Sequence, residues 1–295
     1  MRGKLVNNLL GGMLAAGLAV TAIFGNTTAV RADEFKETGK IWLIGDSITS
    51  DHNGEDNIRD NKIPITGWGN VLQNYVSDQV TIENKARSGR SSQSYTRENV
   101  YREVTKGIQA GDYLVISFGH NDEKADNKGL YTDPAGDSNT EGSFKWYLKT
   151  YYIEPVTEKG ARVILASNVV RYTFENGKQG EFTNEPYAKA MKELAEEYKG
   201  KNVYFIDTFQ ITKDLYEQLG AEGAKKMHAI LGQDPDTKMD ETHYGPYGAM
   251  YVAGIMAREL KALGLECCQE IKSAKGMDRS AASKARSDSA RYGWR

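Results

Sequence analysis

Five short apolar runs are spaced along the middle of the chain, separated by longer stretches of helical periodicity. The runs fall at 40–45, 80–84, 112–118, 162–167 and 202–207. Val115-Ile116 and Val163-Ile164-Leu165 are near-continuous apolar segments, as expected of strands covered on both faces. Helices are predicted at about 66–77, 96–109, 143–159, 184–199, 208–219 and 247–263. In the last, Val252, Ala253, Met256, Leu260 and Leu263 share one face, with Pro246 near its start and Gly264 at its end. Strands alternating with helices predict an α/β fold, a three-layer α/β/α sandwich around a parallel five-stranded sheet.

The two ends of the chain do not share this pattern. Arg2 and Lys4 precede an apolar stretch from Leu9 to Phe24, and small residues follow up to Val30-Arg31-Ala32. That order is the signature of a secretory signal peptide over 1–32, with Thr27-Thr28-Ala29 as a second cleavage point. Gly11, Gly12, Gly17 and Thr21 interrupt the stretch, which is short for a membrane span. The expectation is a secreted protein, not inserted in a membrane once its leader is cut. Losing 1–32 removes Arg2, Lys4 and Arg31, and takes the formal charge from −2 to −5. This balance argues against a nucleic-acid partner. At the other end, 271–295 is polar and rich in Lys and Arg, so 33–266 is expected to be the folded domain and 267–295 a disordered tail. A solvated tail and an anchor for an anionic wall polymer both fit its charge. Cys267 and Cys268 are the only cysteines; adjacent as they are, they give no disulfide framework and no metal site.

Candidate chemistry is concentrated where apolar runs stop. Ile41-Trp42-Leu43-Ile44 ends in Gly45-Asp46-Ser47, which places a serine on the turn leaving the first strand. In open parallel sheets, ligands bind at that end of the strands. A serine hydroxyl needs a base to become a nucleophile, and the base benefits from an orienting acid. Among His52, His120, His228 and His243, only His243 has an acid three residues upstream, Asp240, within a compact polar segment. On a helical turn or a tight loop, positions i and i+3 face the same way. Acyl transfer also needs donors for a developing oxyanion. The backbone N–H of Ser47, the N–H of Gly89 and the side-chain amide of Asn121 all follow separate strands and could meet at one sheet edge. The polar loop 123–142 reads equally as a cleft wall or a plain surface loop.

Taken together, Gly45-Asp46-Ser47, Gly89, Gly119-His120-Asn121-Asp122 and Asp240-x-x-His243 resemble the four sequence blocks of the SGNH (GDSL-type) hydrolase superfamily. They occur in that family's order across about 200 residues. Within it, Thr66-Gly67-Trp68-Gly69, Arg87-Ser88-Gly89-Arg90-Ser91-Ser92 and Thr242-His243-Tyr244 are similar to rhamnogalacturonan acetylesterases, carbohydrate esterase family twelve. The resemblance implies a flavodoxin-like sheet in the order 2-1-3-4-5. It implies Ser47 as nucleophile, His243 as base, Asp240 as its orienting acid, and Ser47, Gly89 and Asn121 as oxyanion donors. Asp46 would anchor the turn and His120 would hold Asn121. Substrate contacts are expected at Trp68 as a sugar-stacking face, at Arg90 toward a uronate carboxylate, and at His120.

The implied activity is removal of O-acetyl groups from an acetylated plant polysaccharide or oligosaccharide, pectic rhamnogalacturonan foremost, by a monomer that needs no metal or organic cofactor. A lysophospholipase or general short-chain acyl hydrolase on the same fold is the first rival, since fold does not fix function. A non-catalytic carbohydrate-binding protein is the second, and acetyl transfer to a sugar acceptor is a variant of the first reading.

Overall fold

Successive strand residues turn to opposite faces of the sheet, and each face carries its own apolar layer. Ile41, Leu43, Val115 and Ile164 pack on one side; Trp42, Ile44, Leu114, Ile116, Val163 and Leu165 pack on the other. The computed structural model describes residues 38–52 and 61–269. The expected leader and the tail from 270 onward lie outside the described residues. The central sheet comprises β1 (Lys40–Gly45), β2 (Thr81–Asn84), β3 (Tyr113–Ser117), β4 (Arg162–Ala166) and β5 (Val203–Ile206). All pairs are parallel and the order is β2-β1-β3-β4-β5, as expected from the sequence.

Four longer helices flank it: α1 (Asn99–Gly107), α2 (Glu185–Glu197), α3 (Thr208–Lys225) and α4 (Pro246–Ala262). Phe209, Leu215 and Tyr216 of α3 and Val252, Ala253, Met256 and Leu260 of α4 join the layer holding Ile41 and Leu43. Val100 and Val104 of α1 and Met191 and Leu194 of α2 join the opposite layer. Each fully buried Leu, Ile or Val contributes about 1.5–3 kcal/mol. Among the described residues, no helix is long and apolar enough to cross a membrane.

Three departures from the expected elements have local causes. The helix predicted over 143–159 contains a π-helical segment, Leu148–Ile153. Pro155 has no N–H to offer the carbonyl of Tyr151; that carbonyl accepts from the Tyr101 hydroxyl instead, at 3.1 Å. Helix α3 passes beyond 219, but Gly220 breaks it with φ 64° before the last turn. The domain also does not end at 266. Cys267 and Cys268 are buried in the core beside α4, within a short helix Glu266–Gln269.

The strand order positions the chemistry. Because β1 lies between β2 and β3, the segments leaving these three strands emerge side by side. Asp46 N donates to Ser117 O at 3.3 Å, and Arg87 N donates to Gly45 O at 3.0 Å, so the three exits are stitched together.

Candidate active site

The turn leaving β1 holds Ser47 by satisfying every carbonyl around it. Asp46 O accepts from Thr49 N (3.2 Å) and Ser50 N (3.0 Å), Ile48 O from Trp68 N (2.9 Å) and Thr49 O from the Asn84 amide (2.8 Å). Ser47 O accepts from His52 Nε2 at 2.8 Å. Inside the turn, the Asp46 carboxylate accepts from Ile48 N at 3.0 Å. Buried backbone groups must be paired, and here the pairing fixes where the serine points.

His243 and Asp240 arrive from outside the central sheet, on a two-stranded antiparallel ribbon, His228–Leu231 with Lys238–Tyr244. His228 pairs with Tyr244 and Ile230 with Met239. Two steps on one strand thus face five on the other, and Asp240–His243 form the resulting bulge. A regular strand would turn positions i and i+3 to opposite faces; the bulge re-aims them. Asp240 Oδ1 accepts from the backbone N–H groups of Thr242 and His243, both at 2.8 Å. Its Oδ2 accepts from His243 Nδ1 at 2.8 Å, which leaves His243 Nε2 to accept from Ser47 Oγ, also at 2.8 Å. Burial alone would raise the Asp240 pKa, but the hydrogen bond and charge of His243 and the two N–H donors overcome it and hold the carboxyl down to about 2. An imidazole so placed can take the serine proton and keep its own charge compensated.

The residues expected to be oxyanion donors sit on the other two strand exits. Arg90 N donates to Arg87 O at 3.3 Å across a tight turn, with Gly89 at its third position and φ 74°. Side chains rarely adopt that conformation, and a Cβ there would meet only open space. Glycine is therefore needed for the backbone angle, not for space. Asn121 is buried, and its Nδ2 donates to Arg90 O at 3.0 Å, tying the two donor loops together. Between them lies Asp122, fully buried, accepting from Ser92 N (3.0 Å), Ser92 Oγ (2.5 Å) and Thr132 Oγ1 (2.9 Å). Burial outweighs these bonds and raises its pKa to about 7.

A serine, a histidine and a carboxylate in line, beside glycine and asparagine donors, are the parts of an acyl-transfer site, and the family profile of the GDSL-like lipases/acylhydrolases matches residues 43–249. The chain belongs to this family. As a GDSL-type hydrolase it is a carboxylic ester hydrolase. It is 32% identical over 248 residues to a rhamnogalacturonan acetylesterase of Bacillus subtilis strain 168, covering 82% of this chain and 98% of that one. It is 32% identical over 239 residues to a rhamnogalacturonan acetylesterase of Emericella nidulans, covering 76% and 86%. Among solved structures, the Bacillus subtilis protein YXIM superposes with a TM-score of 0.59 at 24% identity, over 78% of this chain and 58% of that one. An acetylxylan esterase of Geobacillus stearothermophilus superposes with a TM-score of 0.51 at 17% identity, over 79% and 97%. These two structures share the fold.

Three expected substrate contacts of this GDSL hydrolase are placed differently by the structure. Trp68 is 1% exposed and packs in the core, so it has no face to offer a sugar. Its flanking Gly67 and Gly69 explain the Thr66-Gly67-Trp68-Gly69 segment: a Cβ on either would collide with the carbonyl of Ser50 or Thr49, beneath the serine turn. Arg90 spends its guanidinium on Glu98 Oε1 at 2.8 Å and Ser88 O at 2.8 Å. His120 is buried, 3.4 Å from Asp46 Oδ2 and 3.3 Å from the Asn184 amide, where it supports the serine turn.

Other GDSL-site residues carry no sequence motif. His228 Nδ1 donates to His243 O at 3.2 Å while its Nε2 accepts from the Tyr216 hydroxyl at 2.6 Å. Its burial lowers its pKa to about 4, so it is neutral at neutral pH. Arg171 donates to Thr242 Oγ1 (3.2 Å) and His120 O (3.2 Å) and pairs with Glu123. It thereby joins the bulge to the exit of β3. All four histidines of the chain serve this site, two of them by holding a backbone carbonyl of Ser47 or His243.

Proposed function

We propose that the protein is a secreted serine esterase that removes O-acetyl groups from plant cell-wall polysaccharide, with acetylated pectic rhamnogalacturonan as its substrate. The observation that carries the chemistry is the unbroken line Asp240–His243–Ser47, with both bonds at 2.8 Å. The substrate class rests on the rhamnogalacturonan acetylesterases, whose length the chain matches almost end to end. The leader pattern over 1–32 supports export.

In this reading His243 Nε2 takes the Ser47 hydroxyl proton as Oγ bonds to the acetyl carbonyl carbon. Negative charge moves onto the carbonyl oxygen, which faces Ser47 N–H, Gly89 N–H and the Asn121 amide. The bond from carbon to the sugar oxygen breaks, and that oxygen takes the proton from His243. Water then repeats the sequence on the acetyl-enzyme, leaving acetate and free Ser47. Asp240 stays ionised throughout.

The test is acetate release from acetylated pectin fragments by the protein beside Ser47→Ala. Release that vanishes in the variant supports both chemistry and substrate. Serine-dependent cleavage of p-nitrophenyl acetate with no release from pectin keeps the esterase and discards the pectic substrate; a preference for longer acyl chains would indicate a lipid enzyme. No turnover of either substrate, with retained polysaccharide binding, would overturn the catalytic reading.

A further inference from the structure

Asn121 is the one proposed oxyanion donor that is a side chain, and a side-chain amide can rotate. A primary amide turned by half a circle would present its carbonyl oxygen to a developing oxyanion and repel it. What holds the amide is therefore part of the donor. One restraint is the bond from Nδ2 to Arg90 O at 3.0 Å. That carbonyl accepts one of the two amide hydrogens and leaves the other for the reaction. The second restraint is Lys124, whose Nζ donates to Asn121 Oδ1 at 2.7 Å. The local backbone arranges this. Residues 121–123 form a turn in which Lys124 N donates to Asn121 O at 3.3 Å, so the lysine side chain folds back over the asparagine three residues earlier.

An ammonium can only donate, so it accepts no orientation of the amide other than oxygen toward Nζ. Arg90 O can only accept, so it demands nitrogen on its side. The two partners agree, and together they exclude the flipped amide. The cation does more than orient. A positive charge on the amide oxygen draws electron density from the nitrogen, which makes the remaining N–H a stronger donor when charge develops opposite it. Lys124 itself is exposed and lies on the solvent side of a buried asparagine.

We infer that Lys124 is a positioning residue of this enzyme, setting the orientation and donor strength of Asn121 for the oxyanion without touching the substrate. The inference rests on the esterase reading above. Losing a whole oxyanion donor costs about 100- to 1,000-fold in kcat. Losing the group that fixes and polarises one costs a part of that, about tenfold.

The experiment is a double-mutant cycle on p-nitrophenyl acetate hydrolysis, with wild type, Ser47→Ala, Lys124→Met, Lys124→Arg, Asn121→Ala and the Asn121→Ala/Lys124→Met pair. Lys124→Met should lower kcat about tenfold and leave KM within about twofold. Lys124→Arg should recover most of the loss, because it restores a cationic donor. In the Asn121→Ala background, Lys124→Met should have no further effect, since nothing remains for it to orient. An unchanged kcat in Lys124→Met overturns the inference, as does a loss that multiplies through undiminished in the Asn121→Ala background or appears only in KM. Thermal unfolding midpoints of all variants separate a general loss of folding from these outcomes. If wild type turns over neither this ester nor acetylated pectin, the esterase reading falls and takes this inference with it; if wild type is active and Ser47→Ala is not, only the Lys124 result decides.

Discussion

Two halves of the site are built on different plans. On the nucleophile side, Ser47, His243 and Asp240 are joined to each other directly, and the carbonyls of Ser47 and His243 are gripped by two further buried histidines. On the donor side, neither Gly89 nor Asn121 is hydrogen-bonded to Ser47. They are held through loops, by a glycine angle, an inter-loop amide bond and a surface lysine. The first plan suits groups that must exchange a proton along one line. The second suits groups that must converge on an atom that is absent until substrate arrives. Direct bonding makes the first half all-or-none; indirect bonding lets the second half be tuned.

The largest effect should come from breaking the direct line. Asp240→Asn is expected to lower kcat by about 1,000- to 10,000-fold, because the amide no longer favours the tautomer that accepts the serine proton. A drop of less than tenfold would remove the distinction between the halves. Asn121→Ala should cost about 100- to 1,000-fold in kcat, the effect of one oxyanion donor. Steady-state kinetics on the same ester would read both. His228→Ala tests the support behind the line: it removes one partner of the buried Tyr216 hydroxyl and the donor to the half-buried His243 carbonyl, bonds worth about 1–3 kcal/mol each. Chemical denaturation should show that loss, and an unchanged midpoint would mean that water takes over both bonds.

The smallest effect is a pH dependence that the two halves hide from each other. Asp122, on the donor side, titrates near 7 when folded against an ordinary value of 3.8. Between these values the unfolded chain is ionised while the fold still holds the proton, so stability falls as pH rises through that window and levels off above it. His228, on the nucleophile side, titrates near 4 against an ordinary 6.5. There the unfolded chain binds the proton first, so stability falls as pH drops from about 6.5 toward 4. Each slope is at most about 1.4 kcal/mol per pH unit, with opposite signs over the shared window. Asp122→Asn should expose the histidine's slope, making the protein lose stability on acidification between pH 6.5 and 4 more steeply than wild type. Parallel stability curves for the two proteins would show that Asp122 does not carry the proton.

Legibility in the sequence followed burial. The three central strands are readable to within a residue or so because both faces are covered, and Val115-Ile116 or Val163-Ile164-Leu165 admit little else; the edge strands, half-exposed, are placed by their spacing along the chain. The ribbon carrying Asp240 and His243 is not readable in this way. Lys238–Tyr244 alternates nothing, being half-buried and bulged, so its sequence reads as a loop. The i, i+3 spacing was nevertheless visible, and a bulge delivers it as well as a helical turn would. The sugar-stacking role that the resemblance implies for Trp68 does not survive its burial, and the glycines beside it clear space for the serine turn. His52, His228 and Arg171 act through single bonds to backbone or hydroxyl atoms far away in sequence. No spacing rule marks such residues.

His243, the proposed base for Ser47, lies 196 residues further along the chain. A ribosome therefore finishes most of the domain while the serine is still an ordinary alcohol. Its turn needs Trp68 and Asn84 before it can form, and its proton acceptor is among the last parts to be synthesised. Truncated or half-translated copies would be harmless to any ester they meet. On the proposed mechanism, reactivity is a property that completion of the fold switches on.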